Sequence, residues 1–228
     1  MKKIICFDFD DVIVDSNIVS RIGKYFGKKL KLYEMEMEFI LDNENPEKFY
    51  HFAKKFIKMG KGLDFEYVRR IALKFKLNTG SKEALKKLKK NGYKIVIVSA
   101  NDRRLIKDIL KKNGISEYID HIYASEFGVV DGKINGKIYG TVIKTEKVGV
   151  VREIEKKYKI KAKDVIYVGD GLTDLPIMKK IGKGILFCPN VVTRAEVYED
   201  KILSRKEKNG SLFLIEKKDL REVLNFVD

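Results

Sequence analysis

Apolar and polar positions follow two different periods along this chain. Residues 2–9, 92–99 (GYKIVIVS), 164–169 (DVIYVG) and 184–188 (GILFC) are short, nearly continuous apolar runs rich in β-branched side chains. Such runs predict strands buried on both faces, as a helix-covered parallel sheet requires. Between them, residues 81–91 set Leu85 and Leu88 on one stripe among lysines. Residues 102–114 repeat that pattern with Leu105, Ile106, Ile109 and Leu110 before a glycine stop. Strands alternating with amphipathic helices predict an α/β fold, a doubly wound, Rossmann-like parallel sheet.

Two stretches depart from this alternation. Residues 16–78 hold no convincing strand but several helical patterns, such as residues 46–59 with Phe49, Phe52, Ala53 and Phe56 at helical spacing. Here the pattern predicts a helical cap inserted after the first strand, on a core made of residues 1–15 and 79–228. Met35, Met37, Phe49, Tyr50 and Phe52 are read as packing between cap helices rather than as a substrate wall. In residues 129–142 (VVDGKINGKIYGTV), the turn dipeptides Asp131-Gly132 and Asn135-Gly136 predict a small β-hairpin excursion.

Composition narrows the class. With 228 residues, 44% apolar and 36% charged, the chain carries enough apolar surface for one sizeable core, which excludes a disordered tail or a fibrous protein. Its 48 basic and 33 acidic residues leave a formal charge of +15, which favours an anionic partner. Abundant Lys and Glu without Trp or Gln suggest a heat-adapted source. The apolar stretch after Met1-Lys2-Lys3 is cut short by Asp8, Asp10 and Asp11, whereas a secretory core needs roughly 7 to 15 apolar residues. No run approaches a membrane span, and a soluble, cytoplasmic protein is expected. Cys6 and Cys188 lie in apolar runs and read as buried thiols, and His51 and His121 lack zinc-ligand spacing.

The sharpest chemical signal is Phe7-Asp8-Phe9-Asp10-Asp11 at the end of the first strand. Period-two alternation sends Asp8 and Asp10 to one side and the phenylalanines to the other. Carboxylates sharing a strand end repel and need a cation or a shared proton. A second acidic cluster, Gly169-Asp170-Gly171-Leu172-Thr173-Asp174, ends another strand in the same way. Ligands of open parallel sheets bind beyond the carboxyl ends of strands, so Asp8, Asp10, Asp170 and Asp174 could meet there as an all-oxygen site for Mg²⁺. Ser99 in Val98-Ser99-Ala100-Asn101-Asp102 falls at a third strand end, where a helix start could hold an anion. Lys147, with Lys144 as its rival, opens a further helical stretch.

In chain order, DFDDV, VSAN, a lysine before a helix, and GDGLTD resemble the haloacid dehalogenase superfamily of phosphohydrolases, and within it the phosphoserine phosphatase branch. NGYKIVIVSAN, VVDGKINGKIYG, DVIYVGDGLTDLPIMKKIGKGILFC and EKKDLREVLNF support the likeness, which covers residues 1–15 and most of 80–228. The separation of Lys147 from Asp170 suits that branch and favours Lys147 over Lys144. The resemblance implies that Asp8 is the nucleophile and that Asp10 protonates the leaving alcohol and then activates water. It implies that Asp8, the Asp10 backbone carbonyl and Asp170 hold Mg²⁺, with Asp174 orienting the shell and pairing Lys147. Ser99, the backbone around Ala100, and Lys147 would grip the phosphate.

The chain also departs from that branch. Asp11-Val12 follow the second aspartate, and Asp11 is expected to face solvent. Ala100 and Asn101 stand where the branch has glycines; Asn101 is read as a helix cap, with a substrate contact as the alternative. The branch reads its amino acid with a glutamate at the position held here by Asn17, and with a cap arginine; the insert offers Lys54, Lys55, Arg69 and Arg70 but no equivalent. The resulting expectation is a Mg²⁺-dependent phosphatase of a small phosphorylated metabolite, with a helical lid. A phosphotransferase to an acceptor alcohol is an alternative, since the covalent half-reaction is common to both. A nucleic-acid-binding module or polynucleotide phosphatase is a further one, raised by the net charge and opposed by the scatter of the basic residues. Nothing in the sequence sets the oligomeric state.

Overall fold

The computed structural model describes residues 3–25, 27–41 and 48–227. The chain enters through β1 (Lys3–Phe7), then runs through four helices, α1 (Ile18–Tyr25), α2 (Lys29–Leu41), α3 (Lys48–Met59) and α4 (Phe65–Ala72). It returns through α5 (Ser81–Lys90), β2 (Tyr93–Asp102), α6 (Arg103–Lys112), β3 (His121–Val130) and β4 (Lys133–Tyr139). The second half comprises α7 (Thr141–Lys144), α8 (Glu146–Tyr158), β5 (Val165–Gly169), α9 (Leu175–Lys180), β6 (Lys183–Phe187), α10 (Val191–Glu199), α11 (Lys201–Lys208) and β7 (Leu212–Ile215). The expected helix start at Pro46 lies outside the described residues.

One seven-stranded sheet has the order β4-β3-β2-β1-β5-β6-β7, parallel except for the antiparallel edge strand β4. Strand alternation decides the layers. Ile5 and Phe7 pack with Leu85, Leu88, Leu105 and Ile106 from α5 and α6 on one face. Ile4 and Cys6 pack with Val150 and Ile154 of α8 and Met178 of α9 on the other. Both faces are covered, which is why the strands read as continuous apolar runs. The connections leave β1 toward β2 on one side and reach β5 on the other, which makes the carboxyl end of β1 the topological switch point where ligands of such sheets bind.

The four helices between β1 and α5 join the rest of the chain through backbone pairing at both ends of the segment and beside α3. Val14 and Leu77 form an antiparallel bridge at the two crossings. The turn after α3 pairs with the start of β4: Gly62 N donates to Ile134 O, Ile134 N to Leu63 O and Phe65 N to Gly132 O, each at 2.8 Å.

Several expectations need correction. The hairpin is not an excursion, because β3 is a full member of the sheet, paired in parallel with β2 through residues 121–125 before pairing with β4. Its mixed sequence, HIYASEFGVV, hid it. Asn135-Gly136 is no second turn but an irregularity inside β4, where Gly136 takes a left-handed φ of 82° and the register slips opposite Phe127 and Val129. The short edge strand β7 was also missed. Ser99 does not open a helix: β2 runs on to Asp102, and Asp102 caps α6 by accepting from Arg104 N at 2.8 Å. Cys188 is half-buried rather than buried, since it follows β6 in a left-handed turn (φ 48°).

Candidate active site

Three adjacent strands deliver the polar side chains. Asp8 directly follows β1, and its N–H still continues the ladder by donating to Val168 O of β5 at 2.8 Å. Phe9 is fully buried on the same side as Phe7, so Asp8 is turned to the rim. One Asp8 oxygen accepts the Phe9 N–H at 2.7 Å and the other the Lys147 ammonium at 2.6 Å. Lys147, in the first turn of α8, is 2% exposed and also donates to Asp174 at 2.6 Å. Lys144 is exposed on α7.

Asp174 is fully buried and fully used. Its Oδ1 accepts from Lys147 and from the Tyr167 hydroxyl at 2.7 Å, and its Oδ2 from the N–H groups of Asp170 and Gly171 at 2.9 and 3.1 Å. A carboxylate has about four lone-pair sites, so this one is saturated and acts by orienting its neighbours. Gly169 makes the approach possible, because a Cβ there would lie 2.3 Å from the Asp174 carboxyl carbon. Asp170 differs: among the described residues nothing hydrogen-bonds its carboxylate, although oxygens of Asp8, Asp170 and Asp174 all lie within 4.8 Å of one another.

Asp10 sits past the strand end, accepting from the Asn101 side-chain amide at 3.1 Å and from Ile18 N, at the start of α1, at 3.3 Å. Asn101 is therefore not the helix cap expected for it; Asp102 takes that place and frees the Asn101 amide to hold Asp10. The register shift between Ser99 and Asp102 bulges Ala100 and Asn101 out of the ladder toward the site. Buried Ser99 accepts the Asn101 N–H at 3.1 Å, and among the described residues no acceptor takes its hydroxyl proton. Asp11 does not face solvent as expected. It is half-buried with a left-handed φ of 56°, and burial raises its carboxyl pKa, a push opposed by Lys218.

Burial and mutual repulsion dominate the electrostatics. Burial, reinforced by Asp174 and opposed by Lys147, lifts Asp8 to about 6. Burial and then the Asp8 charge lift Asp10 to about 8. Burial, Asp174 and Asp8 together hold Asp170 well above the usual carboxylate range. Burial works to lower the Lys147 pKa, but Asp174 and Asp8 overcome it and hold the ammonium charged. One ammonium thus faces a cluster of carboxylates that is short of positive charge. All its donors are oxygens, one of them without a hydrogen bond, which is the chemistry a small hard divalent cation fits.

Of these groups, Asp8, Asp10 and Lys147 line a cavity of about 140 Å³. Asn17, Ser99, Ala100, Asn101 and Thr173 border it, and its far wall is built from Phe49, Phe52, Ala53 and Phe56 of α3 with Ile138 and Ile143. Phe49 and Phe52 therefore do more than pack cap helices, while Met35 is core. Sequence reasoning missed Tyr167, which braces Asp174, and Asn78, which is buried and donates to the carbonyls of Asp11, Val12 and Val14 at 2.9, 2.9 and 3.1 Å. A polar residue just before a helix was the only trace of Asn78; Tyr167 was hidden in a β-rich run.

The family model for haloacid dehalogenase-like hydrolases matches residues 5–179. The phosphoserine phosphatase of Methanocaldococcus jannaschii is 30% identical over 99% of this chain and 98% of its own length. That of Streptococcus thermophilus is 26% identical over 86% of this chain and 88% of its own. Among solved structures, a substrate-bound phosphoserine phosphatase superposes with a TM-score of 0.80 at 27% identity, covering 100% of this chain and 99% of that one. A phospho-aspartyl intermediate analogue of phosphoserine phosphatase gives 0.79 at 29% identity, over 100% and 99%.

Proposed function

This chain belongs to the haloacid dehalogenase-like hydrolase family, and from that premise we propose how its residues hydrolyse a small phosphomonoester. It is a phosphoserine phosphatase-like phosphoric monoester hydrolase. In our reading Asp8 is the nucleophile, and its oxygen attacks phosphorus to form an aspartyl-phosphate. Asp10, protonated near neutral pH, gives its proton to the departing alkoxide so that the alcohol leaves neutral. The same carboxylate, now ionised, takes a proton from water as the water oxygen attacks the aspartyl-phosphate. Inorganic phosphate leaves and Asp8 is restored.

Lys147 and the Ser99 hydroxyl, with backbone near Ala100, hold the phosphoryl oxygens. Asp8, Asp170 and the backbone carbonyl of Asp10 would hold Mg²⁺, with Asp174 as the brace of Lys147 and of the Asp170 backbone. Bound there, the ion offsets the repulsion between a carboxylate nucleophile and an anionic ester. Among the described residues no helix is long and apolar enough to cross a membrane, and we place the enzyme in the cytoplasm.

The observation that carries this reading is the Lys147 ammonium at 2.6 Å from both Asp8 and Asp174, beside the unbonded carboxylate of Asp170. Hydrolysis of p-nitrophenyl phosphate tests it. Activity is expected with Mg²⁺, lost with EDTA, and lost in Asp8→Asn. An Asp8→Asn enzyme of undiminished rate would refute the assignment of the nucleophile.

A further inference from the structure

We infer that the alcohol this site releases is uncharged and largely apolar, and not one that carries an ammonium or a carboxylate; this rests on the phosphatase reading above. Among the described residues, the charged side chains lining the cavity are Asp8, Asp10 and Lys147, and all three stand at the phosphoryl end. Lys147 is already shared between Asp8 and Asp174, and Asp10 is held by Asn101 and Ile18 N. Among the described residues, the rest of the lining, where the remainder of the ester must lie, is uncharged and mostly apolar, with Phe49, Phe52, Ala53, Phe56, Ile138 and Ile143 forming the wall from α3 to α7.

Several basic residues of the surrounding helices are committed elsewhere. Lys55 pairs with Glu38, and Arg69 with Asp108 and Glu66. Lys54 lies over the Tyr50 ring and Arg70 over the Tyr67 ring. Arg21 donates to Ser16. Among the described residues, none of them lines the cavity. Asn17 lines it with a neutral amide whose oxygen accepts from Ser20 N.

A charge seated against this wall would lose its hydration and find no counter-ion, a cost that phenyl faces repay only in part for an ammonium and not at all for a carboxylate. An apolar body gains from the same surface.

The test is a set of alkyl phosphates of similar intrinsic reactivity, turned over by the whole chain with Mg²⁺. n-Butyl and 3-methylbutyl phosphate are compared with phosphoethanolamine, phosphocholine, phosphoglycolate and O-phosphoserine, with p-nitrophenyl phosphate as the control for phosphatase activity. The uncharged esters are expected to exceed each charged one in kcat/KM by about 100-fold. A ratio of about tenfold or more supports the inference, and any charged ester below that margin overturns it while the control reaction leaves the phosphatase reading intact. An inert control would instead remove that reading and this inference with it. Ala53→Asp supplies the missing carboxylate, and the ratio of phosphoethanolamine to butyl phosphate turnover should rise about tenfold or more. An unchanged ratio in a folded Ala53→Asp enzyme would also overturn the inference.

Discussion

At the core end of the cavity, Asp8, Lys147, Asp174 and Tyr167 hold one another through charge-assisted bonds of 2.6 to 2.7 Å. At the far end, α3 turns Phe49, Phe52 and Phe56 toward the same space, and contact there is by shape and apolar area alone. The core end is a fixed electrostatic frame in which every oxygen position matters to the chemistry. The α3 wall adapts in small steps, because swapping one apolar side chain for another shifts packing by less than removing a buried charge partner. Chemistry and choice of substrate are thereby separated between two regions. They meet at Asp10, whose carboxylate accepts Asn101 from the core and the first N–H of α1.

Substitutions at the two ends should differ in size and in kind. The largest loss is expected from Asp10→Asn, with kcat on butyl phosphate falling roughly 10²- to 10⁴-fold and the loss smaller on p-nitrophenyl phosphate, whose leaving group needs less protonation. Next is Lys147→Met, which strands Asp8 and Asp174 in a buried site. Urea denaturation of the metal-free protein at pH 8 should show about 3–5 kcal/mol lost.

The pH dependence of the metal-free protein follows from the raised carboxyl groups. Asp8 and Asp10, at about 6 and about 8, bind protons more tightly folded than unfolded. Their contribution is whole below the unfolded value near ~4 and is lost as pH rises through their folded values. Tm should therefore fall between about pH 4 and pH 8, less steeply in Asp10→Asn. Saturating Mg²⁺ at pH 8 should restore about 2.7 kcal/mol at 100 times its Kd. Tyr167→Phe removes one bond to a buried carboxylate and should cost about 1–3 kcal/mol by the same denaturation assay. The smallest effect is expected in the α3 wall, where Phe52→Leu should move KM on butyl phosphate by about tenfold or less, and kcat by less than KM. A Phe52 variant that lost as much kcat as Asp10→Asn would erase the distinction between the two ends.

The core end was legible in the sequence because its constraints are local. A carboxylate one residue past a buried strand must point to the rim, and GDGLTD folds back on itself within a few residues, so Asp8, Asp170 and Asp174 could be assigned positions from their own segments. Lys147 was legible only through motif order, since lysines occur throughout the chain. What the sequence hid depended on partners outside each residue's own element. Tyr167 looked like any strand aromatic until Asp174 closed on it. Asn78 gains its purpose only from three carbonyls across the crossing between β1 and α5. Phe49 and Phe52 carried a helical period that says which face is buried but not against what, and only the fold of α3 over the sheet edge makes that face a pocket wall. β3 escaped notice because its half-buried, polar-interrupted sequence lacks the signature of its neighbours.

The account stands most directly on the covalent bond to Asp8. Borohydride added during turnover of p-nitrophenyl phosphate with Mg²⁺ reduces an acyl phosphate to an alcohol, and peptide mass spectrometry then locates it. The expected result is homoserine at position 8, formed only when substrate and Mg²⁺ are both present. Reduction at another carboxylate, or an unmodified Asp8 in an enzyme caught turning over, would contradict it.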